Sequence, residues 1–397
     1  MEKIRIGLVG CGGMGIRHLI GLGALTQTPF FNVELGGVCD LRRENAEQAA
    51  AKAEELFGVR PPVCTTLDEL AKLDLQAVDV VVDPSVHQPV VCQALELGLH
   101  VLVEKPMAIT VSKCRLMMEA ARKHDRLLSV AENYRRDPSA RLVNHLLQQQ
   151  VIGKPYLAYY HSLGGGSGIY ITPWRHLKER GGLLLDMGIH LADLIRYQLG
   201  DIDEVYGAAW LAAPVRQTDE TQIQATAEDC SMAMLRMKSG VMVNWMMGRG
   251  GLASCGGQLI AGRSGTLTSF GTRGGKVSLR LGAGDETGHE QILEETTGFE
   301  LEPLAEHLFP QRLSTRDADA KLIALELHEL GEAVLQGRAL EVDGEEGLKD
   351  VAAIYAILES SLANEAVKMA DVESGQVCAY QNEIDLALST DSTGINT

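Results

Sequence analysis

Residues 4–15 read IRIGLVGCGGMG, a short apolar run, Ile4 to Val9, that ends in Gly10-Cys11-Gly12-Gly13-Met14-Gly15. Ile4 to Val9 has strand character and residues 13–25 carry apolar residues at helical spacing, so the glycines fall at a strand-to-helix turn. A GxGxxG in that position has a mechanical meaning. Gly10 permits the tight turn, Gly12 lets the backbone approach a pyrophosphate, and Gly15 allows the helix to pack closely on the strand. Gly13 and Met14 open the helix, whose N-terminus then faces the phosphates.

The same alternation continues outward. VELGGVC precedes a helical pattern at 43–57, AVDVVV one at 86–97, and HVLVE one at 110–124. Several of these apolar runs are too continuous to have a wet face, which suits parallel strands covered by helices on both sides. The reading is a doubly wound α/β sheet, in which ligands bind beyond the carboxyl ends of the strands.

Those strand ends carry the candidate cofactor contacts. Asp40 closes the second strand, where a carboxylate accepts hydrogen bonds from the adenosine ribose hydroxyls and repels a 2′-phosphate, so NAD is expected. Arg42 and Arg43 follow and can neutralise a 2′-phosphate, which keeps NADP open. Asp83-Pro84-Ser85-Val86-His87 follows AVDVVV, with Pro84 and His87 as contacts, and Glu104-Lys105-Pro106 follows HVLV. Lys105 sits where an ammonium can reach a nicotinamide ribose or a substrate hydroxyl and favour a developing alkoxide.

Composition narrows the classes. The chain has 397 residues, enough for two domains, and 36 Lys and Arg against 53 Asp and Glu give a formal charge of -17. That charge argues against a nucleic-acid or anionic-membrane partner. No signal segment precedes the first strand and no apolar run spans a bilayer, so a cytoplasmic protein is expected. The eight cysteines lack CxxC spacing and read as small buried hydrophobes, with no metal site.

A second decisive stretch is Asp186-Met-Gly-Ile-His190-Leu-Ala-Asp193, inside GGLLLDMGIHLADLIRYQLG. Positions i, i+4 and i+7 share a helix face, so two carboxylates and an imidazole project together from an otherwise apolar helix. Buried polar groups need partners or a role, and a histidine, which titrates near neutrality, can take a hydroxyl proton. Asp193 has a structural reading.

GCGGMG, EKP at 104–106 and DMGIH at 186–190, in that order, resemble the glucose-fructose oxidoreductase, inositol dehydrogenase and rhizopine-catabolism protein family, Gfo/Idh/MocA. Glu132-Asn-Tyr-Arg135-Arg-Asp-Pro138 is similar to the family's joint between domains, as is Trp174-Arg175 before Gly181-Gly182. The resemblance implies a Rossmann domain, 1–132, followed by an α+β domain, 133–380, with a large, mostly antiparallel open sheet that often mediates oligomerisation. It places the catalytic residues at Lys105, Asp186 and His190. The chain departs from the family at Asp83, where a small residue or Thr is more usual, so a carboxylate there must be tolerated or used.

In the second domain YLAYYHSL reads as a strand and GGGSGIY, 164–170, as a mobile loop beside the site, with Arg135, Tyr170, Trp174, Arg175, His176 and Asp186 as substrate contacts. EVYGAAWLA, CSMAMLRM, VMVNWMM, GQLIAG, TLTSF and VSLRLG follow as strands of a sheet with one face needing cover, and a homodimer or homotetramer supplies it. Met232, Met234, Met237, Met242, Met246 and Met247 read as core filling. Helical patterns at 316–337 and 345–369 pack on the body, and 381–397 is a polar tail.

Together these features point to hydride transfer between nicotinamide and a secondary alcohol of a sugar, glycoside or inositol-type polyol. His190 serves as general base, Asp186 holds a hydroxyl or orients the imidazole, and Lys105 makes the alcohol more acidic. The alternatives are redox-assisted glycoside cleavage with transient oxidation, keto-sugar reduction, and a non-catalytic NAD sensor.

Overall fold

A computed structural model describes residues 2–391 apart from 219, 252–253, 271–274, 297 and 315–316. Among these, β1 (Ile4–Val9), β2 (Val33–Cys39), β3 (Val63–Cys64), β4 (Ala77–Val80), β5 (His100–Glu104) and β6 (Leu128–Ala131) form a parallel sheet ordered β3-β2-β1-β4-β5-β6. The order reverses between β1 and β4, which opens a crevice at their carboxyl ends. Helices α1 (Gly13–Thr26), α2 (Arg43–Phe57), α3 (Leu67–Leu70), α4 (His87–Glu96) and α5 (Val111–His124) connect the strands, and all but the one-turn α3 lie close to the ranges read from periodicity.

After α6 (Pro138–Gln148), started by Pro138 and capped by the Asp137 carboxylate, comes the second sheet. It contains β7 (Pro155–Gly165), β8 (Ile202–Trp210), β11 (Cys230–Met237), β12 (Met242–Gly251), β13 (Cys255–Gly262), β14 (Gly265–Phe270), β15 (Val277–Leu281), β16 (Glu286–Thr287) and β17 (Val367–Lys368). The order is β16-β15-β14-β13-β7-β12-β11-β8-β17, antiparallel throughout except for β7 beside β12. A separate ribbon pairs β9 (Val215–Gln217) with β10 (Gln222–Gln224).

Helix α7 (Gly182–Leu199) lies on the inner face of this sheet. Its Gly188 lets the helix pack closely there: a Cβ would stand 3.0 Å from Ile354, 3.2 Å from Met247 and 3.3 Å from Trp245. Short α8 (His289–Glu295) and α9 (Pro303–Leu308) lead to the long α10 (Ala318–Gln336) and α11 (Gly344–Ala363), followed by α12 (Met369–Ser374) and α13 (Ala379–Asp391).

Four sequence expectations need correction. First, Gly164 and Gly165 extend β7, with Gly165 paired to Gly251, so the glycine run begins as strand rather than as a free loop. Second, the methionines divide: Met237 and Met247 are core, whereas Met232 and Met234 are 45% and 53% exposed. Period-2 alternation puts them on the face opposite Ser231, Ala233 and Leu235. Third, residues 381–391 are helix rather than tail, anchored by Tyr380 and Ile384 in the core and by Gln381 accepting the Val111 N–H. Residues 392–397 lie outside the described residues. Fourth, the range 133–380 given to the second domain includes α10, yet α10, which packs on the body as expected, does so on α1 and the first sheet, where a Cβ on Gly21 would be 2.5 Å from Ile323.

That return carries Glu326 into the interior at 1% exposure, and neither carboxylate oxygen has a hydrogen-bond partner among the described residues. Burial raises its carboxyl well above the usual range despite Arg136 nearby. A raised carboxyl costs stability as pH climbs above its unfolded value, because the buried group must keep its proton or ionise unpartnered. Glu326→Met should therefore melt higher than the parent, by a few degrees, with the gain growing from pH 5 to pH 8. Calorimetry across that window checks it; a gain independent of pH contradicts it.

Candidate active site

The glycine turn meets the demands of a dinucleotide cradle. Gly10 has φ of +96° and a Cβ there would lie 2.4 Å from the Val81 carbonyl oxygen; at Gly15 a Cβ would lie 2.1 Å from the Gly10 oxygen. At Gly12 and Gly13 a Cβ would meet nothing within 4 Å, so the turn is open on the side a pyrophosphate would approach. Met14 is half-buried at the start of α1. Asp40 braces the turn: Oδ2 accepts the Cys11 N–H at 2.8 Å, and Oδ1 accepts the Arg42 N–H at 2.9 Å and the Asn45 amide at 3.2 Å. A carboxylate has about four lone-pair sites, which leaves room for a ribose hydroxyl. The Arg42 side chain is exposed at the same edge.

Across the crevice, Lys105 leaves the end of β5 and Asp186 the second turn of α7. Lys105 Nζ donates to Asp186 Oδ1 at 3.2 Å and to its carbonyl at 3.0 Å, while Arg175 Nε donates to Oδ2 at 2.7 Å. Burial alone would lower the Lys105 ammonium, but Asp186, Glu104 and Glu132 outweigh it and its pKa rises. Burial would raise Asp186, but Lys105 and Arg175 hold it below the usual carboxylate range. Near neutrality Lys105 is thus a cation and Asp186 an anion, and neither is placed to act as a base.

One turn along, His190 lies 6% exposed, its ring stacked on Tyr134 with centroids 4.0 Å apart and planes 6° from parallel. Its Nδ1 is 2.7 and 2.9 Å from the two oxygens of Glu132, the residue after β6. Sequence reasoning named Glu132 only as part of the inter-domain joint. An acidic residue directly after a buried parallel strand, at the ligand-binding end, was the available signal.

Several expected contacts fall elsewhere. Arg135, expected to meet substrate, is 4% exposed and forks onto Asp193, with Nε 2.9 and 3.1 Å from its oxygens, and onto the Glu341 carbonyl; it ties α7 to the C-terminal segment. His87, expected to meet cofactor, is fully buried with Nδ1 3.0 Å from the Pro106 carbonyl and Nε2 3.1 Å from that of Val82, so it holds the Lys105 turn from beneath. Pro84 is buried in the neighbouring turn. Glu104 points inward to His18, whose other nitrogen is 2.8 Å from Asp79. Burial opposes a charge on His18, yet the two carboxylates raise it well above its ordinary value. His176 is buried and its Nε2 accepts the Tyr170 N–H, so it shapes the loop rather than facing the crevice.

Trp174, under the Arg175 guanidinium at 4.3 Å, and Tyr170 are half-buried. Arg249, not singled out from the sequence, donates to Ser162 at 3.0 Å and lies 5.8 Å from the Tyr170 ring. The unusual Asp83 is used: it caps the turn at 84–86 through the Ser85 N–H and hydroxyl, and Arg180 reaches Ser85 at 2.8 Å from the opposite wall. Among the described residues no group of three or more His, Cys, Asp or Glu is arranged to hold a metal ion.

Residues 4–132 match the family model described as oxidoreductase family, NAD-binding Rossmann fold, and residues 140–274 match the GFO/IDH/MocA C-terminal domain. The chain belongs to the Gfo/Idh/MocA oxidoreductase family. The levoglucosan dehydrogenase of Pseudarthrobacter phenanthrenivorans is 25% identical over 260 residues, 61% of this chain and 66% of that protein. The myo-inositol 2-dehydrogenase of Thermotoga maritima is 25% identical over 240 residues, 60% of this chain and 66% of that protein. The chain therefore spans just under two thirds of the length of these relatives. A solved levoglucosan dehydrogenase in complex with NADH has the same fold, with a TM-score of 0.75 at 20% identity, covering 93% of this chain and 99% of that one. The N-terminal domain of this family member is an NAD-binding Rossmann domain.

Asp40→Ala removes both the brace of the glycine turn and the repulsion of a 2′-phosphate. It should raise the Kd for NADH roughly tenfold while leaving or improving that for NADPH, the loss of one or two charge-assisted hydrogen bonds. Fluorescence titration with both cofactors checks this; an unchanged ratio of the two constants contradicts it.

Proposed function

We propose that the protein is an NAD-dependent dehydrogenase that transfers hydride between a secondary alcohol of a sugar, glycoside or inositol-type polyol and the nicotinamide. The observation that carries it is the contact between Lys105, at the end of β5, and Asp186 of α7, with His190 one turn further along the same helix, so that a cation, a fixed anion and an imidazole lie beyond β5. The cofactor, when bound, supplies the hydride acceptor. Lys105 donates a hydrogen bond to the reacting oxygen and stabilises the alkoxide as it forms, His190 takes the hydroxyl proton, and Asp186 fixes the ammonium and accepts from an adjacent hydroxyl. Arg175, Trp174 and Tyr170 form the wall against which a polyhydroxylated ring would lie. The relatives' names, a levoglucosan and an inositol dehydrogenase, support a ring polyol.

The test is absorbance of reduced nicotinamide with a panel of sugars, glycosides and inositols, offered with NAD⁺ and separately NADP⁺, with product analysis. NADH accumulating with a keto-product is expected, and His190→Ala should lower turnover about 10²-fold or more while NADH binding persists. Substrate consumed with flat NADH would replace this reading with redox-assisted cleavage. Binding without consumption would replace it with a sensor.

A homodimer or homotetramer belongs to the same proposal. Tyr206, Met234, Asn244, Tyr159 and Leu259 are register partners across five strands, and Tyr206, Met234 and Tyr159 are 46%, 53% and 45% exposed. A band of that extent on an open sheet, apolar but for Asn244, supports a docking face. The Met232→Lys, Met234→Lys double variant should sediment as the monomer while the parent does not; a monomeric parent overturns the assignment. Of the eight cysteines, expected to be buried, only Cys11, Cys39, Cys64 and Cys114 are; Cys92, Cys230 and Cys378 are half-buried and Cys255 is exposed.

A further inference from the structure

We infer that Glu132 is a positioning residue for His190: it holds the imidazole as the Nδ1–H tautomer, so that Nε2 is the atom that receives the hydroxyl proton. The inference rests on the proposed role of His190 and names the group that makes that role possible.

Both oxygens of Glu132 lie within hydrogen-bond distance of Nδ1, at 2.7 and 2.9 Å, and no other described group hydrogen-bonds to the ring. An ionised carboxylate only accepts, so the nitrogen facing it must carry a proton. Glu132 is itself ionised: burial pushes its carboxyl up, but His190, the Tyr134 N–H and Lys105 together bring it below the usual range.

Its own position is fixed from three sides. It is 1% exposed, its N–H donates to the Val130 carbonyl at 2.9 Å, and Oε1 accepts the Tyr134 N–H at 3.1 Å. The Tyr134 ring then lies flat on the imidazole and fixes its plane. The stack holds the plane of the imidazole, and turning Nδ1 toward the crevice within that plane would break both of its contacts with Glu132. Asp186, by contrast, is taken up by Lys105 and Arg175 and makes no hydrogen bond to His190, although it precedes it by one helical turn.

When Nε2 accepts a proton the ring becomes an imidazolium, and the buried charge of Glu132 stabilises it at contact distance. The proton balance is simple: the substrate O–H bond breaks, an Nε2–H bond forms, and Nδ1–H stays on the ring hydrogen-bonded to Glu132. The electron pair of the C–H bond leaves as hydride in the dehydrogenation already proposed.

Two variants separate positioning from simple structural support. Glu132→Gln keeps an oxygen acceptor for Nδ1–H but removes the negative charge; Glu132→Ala removes both. Heteronuclear NMR of ¹⁵N-histidine-labelled protein, with His190 assigned by the signals missing in His190→Asn, reads tautomer and titration without any substrate. The parent and Glu132→Gln should show Nδ1 protonated and Nε2 free, with the Glu132→Gln midpoint moved to lower pH. Glu132→Ala should lose the Nδ1–H tautomer.

With a turned-over substrate in hand, Glu132→Gln should lower kcat about tenfold or more and shift the acidic limb of the kcat/KM profile downward, with the sugar KM held. An Nε2–H tautomer in the parent overturns the inference, as does a Glu132→Gln titration superimposable on the parent. Failure to find any substrate would leave the NMR result standing, so the two readings fail separately.

Discussion

The structure turns on the contact between Lys105 and Asp186. One residue ends a strand of the parallel sheet and the other sits in the helix that floors the antiparallel sheet, so the pair joins the element that binds the cofactor to the element that carries the imidazole. The ammonium is 13% and the carboxylate 5% exposed, so neither ion is well hydrated. Removing one partner of a buried pair leaves an uncompensated charge, a loss of roughly 3–5 kcal/mol, whereas a satisfied pair need add little net stability. The fold keeps this arrangement for where it puts the charges. Arg175 supplies the second donor that lets Asp186 stay ionised, and thereby leaves Lys105 an ammonium with donors to offer.

A second layer of charge supports the first. Glu104, next in chain to Lys105, is turned inward onto His18, which is held by Asp79 on its other side. Anchoring the residue before the lysine in the sheet interior restricts the path by which the lysine leaves the strand. His87 does the same from beneath, through the carbonyls of Pro106 and Met107. The Arg135–Asp193 fork anchors α7 about one turn beyond His190, and Arg135 also reaches Glu346, so the helix that bears Asp186 and His190 is tied to the C-terminal segment there. These groups are buried with protein partners of their own, and through those partners they hold the residues that face the crevice.

Much of this was legible in the sequence because it is local. The glycine turn, the strand and helix alternation and the i, i+4 spacing of Asp186 and His190 are all short-range patterns, and the structure realises them within a residue or two. What the sequence hid is what depends on partners far away in the chain. Arg135 and His87 carry functional residue types in suggestive motifs, but whether such a side chain faces a crevice or an ion-pair partner 58 residues on, as Arg135 does, is a tertiary fact. Likewise Met232 and Met237 are chemically alike, and only the assignment of sheet faces separates an exposed residue from a core one. The periodicity of α10 announced a helix; it held no information that the helix would return to the first sheet.

The most direct test of the account is a crystal structure of the protein with NAD⁺ and a polyol that it oxidises. The account predicts one substrate hydroxyl within hydrogen-bond distance of both Lys105 Nζ and His190 Nε2, with its carbon facing the nicotinamide ring and Asp186 contacting a neighbouring hydroxyl. A nicotinamide directed away from the Lys105–Asp186 pair, or a polyol seated without contact to His190, would contradict it.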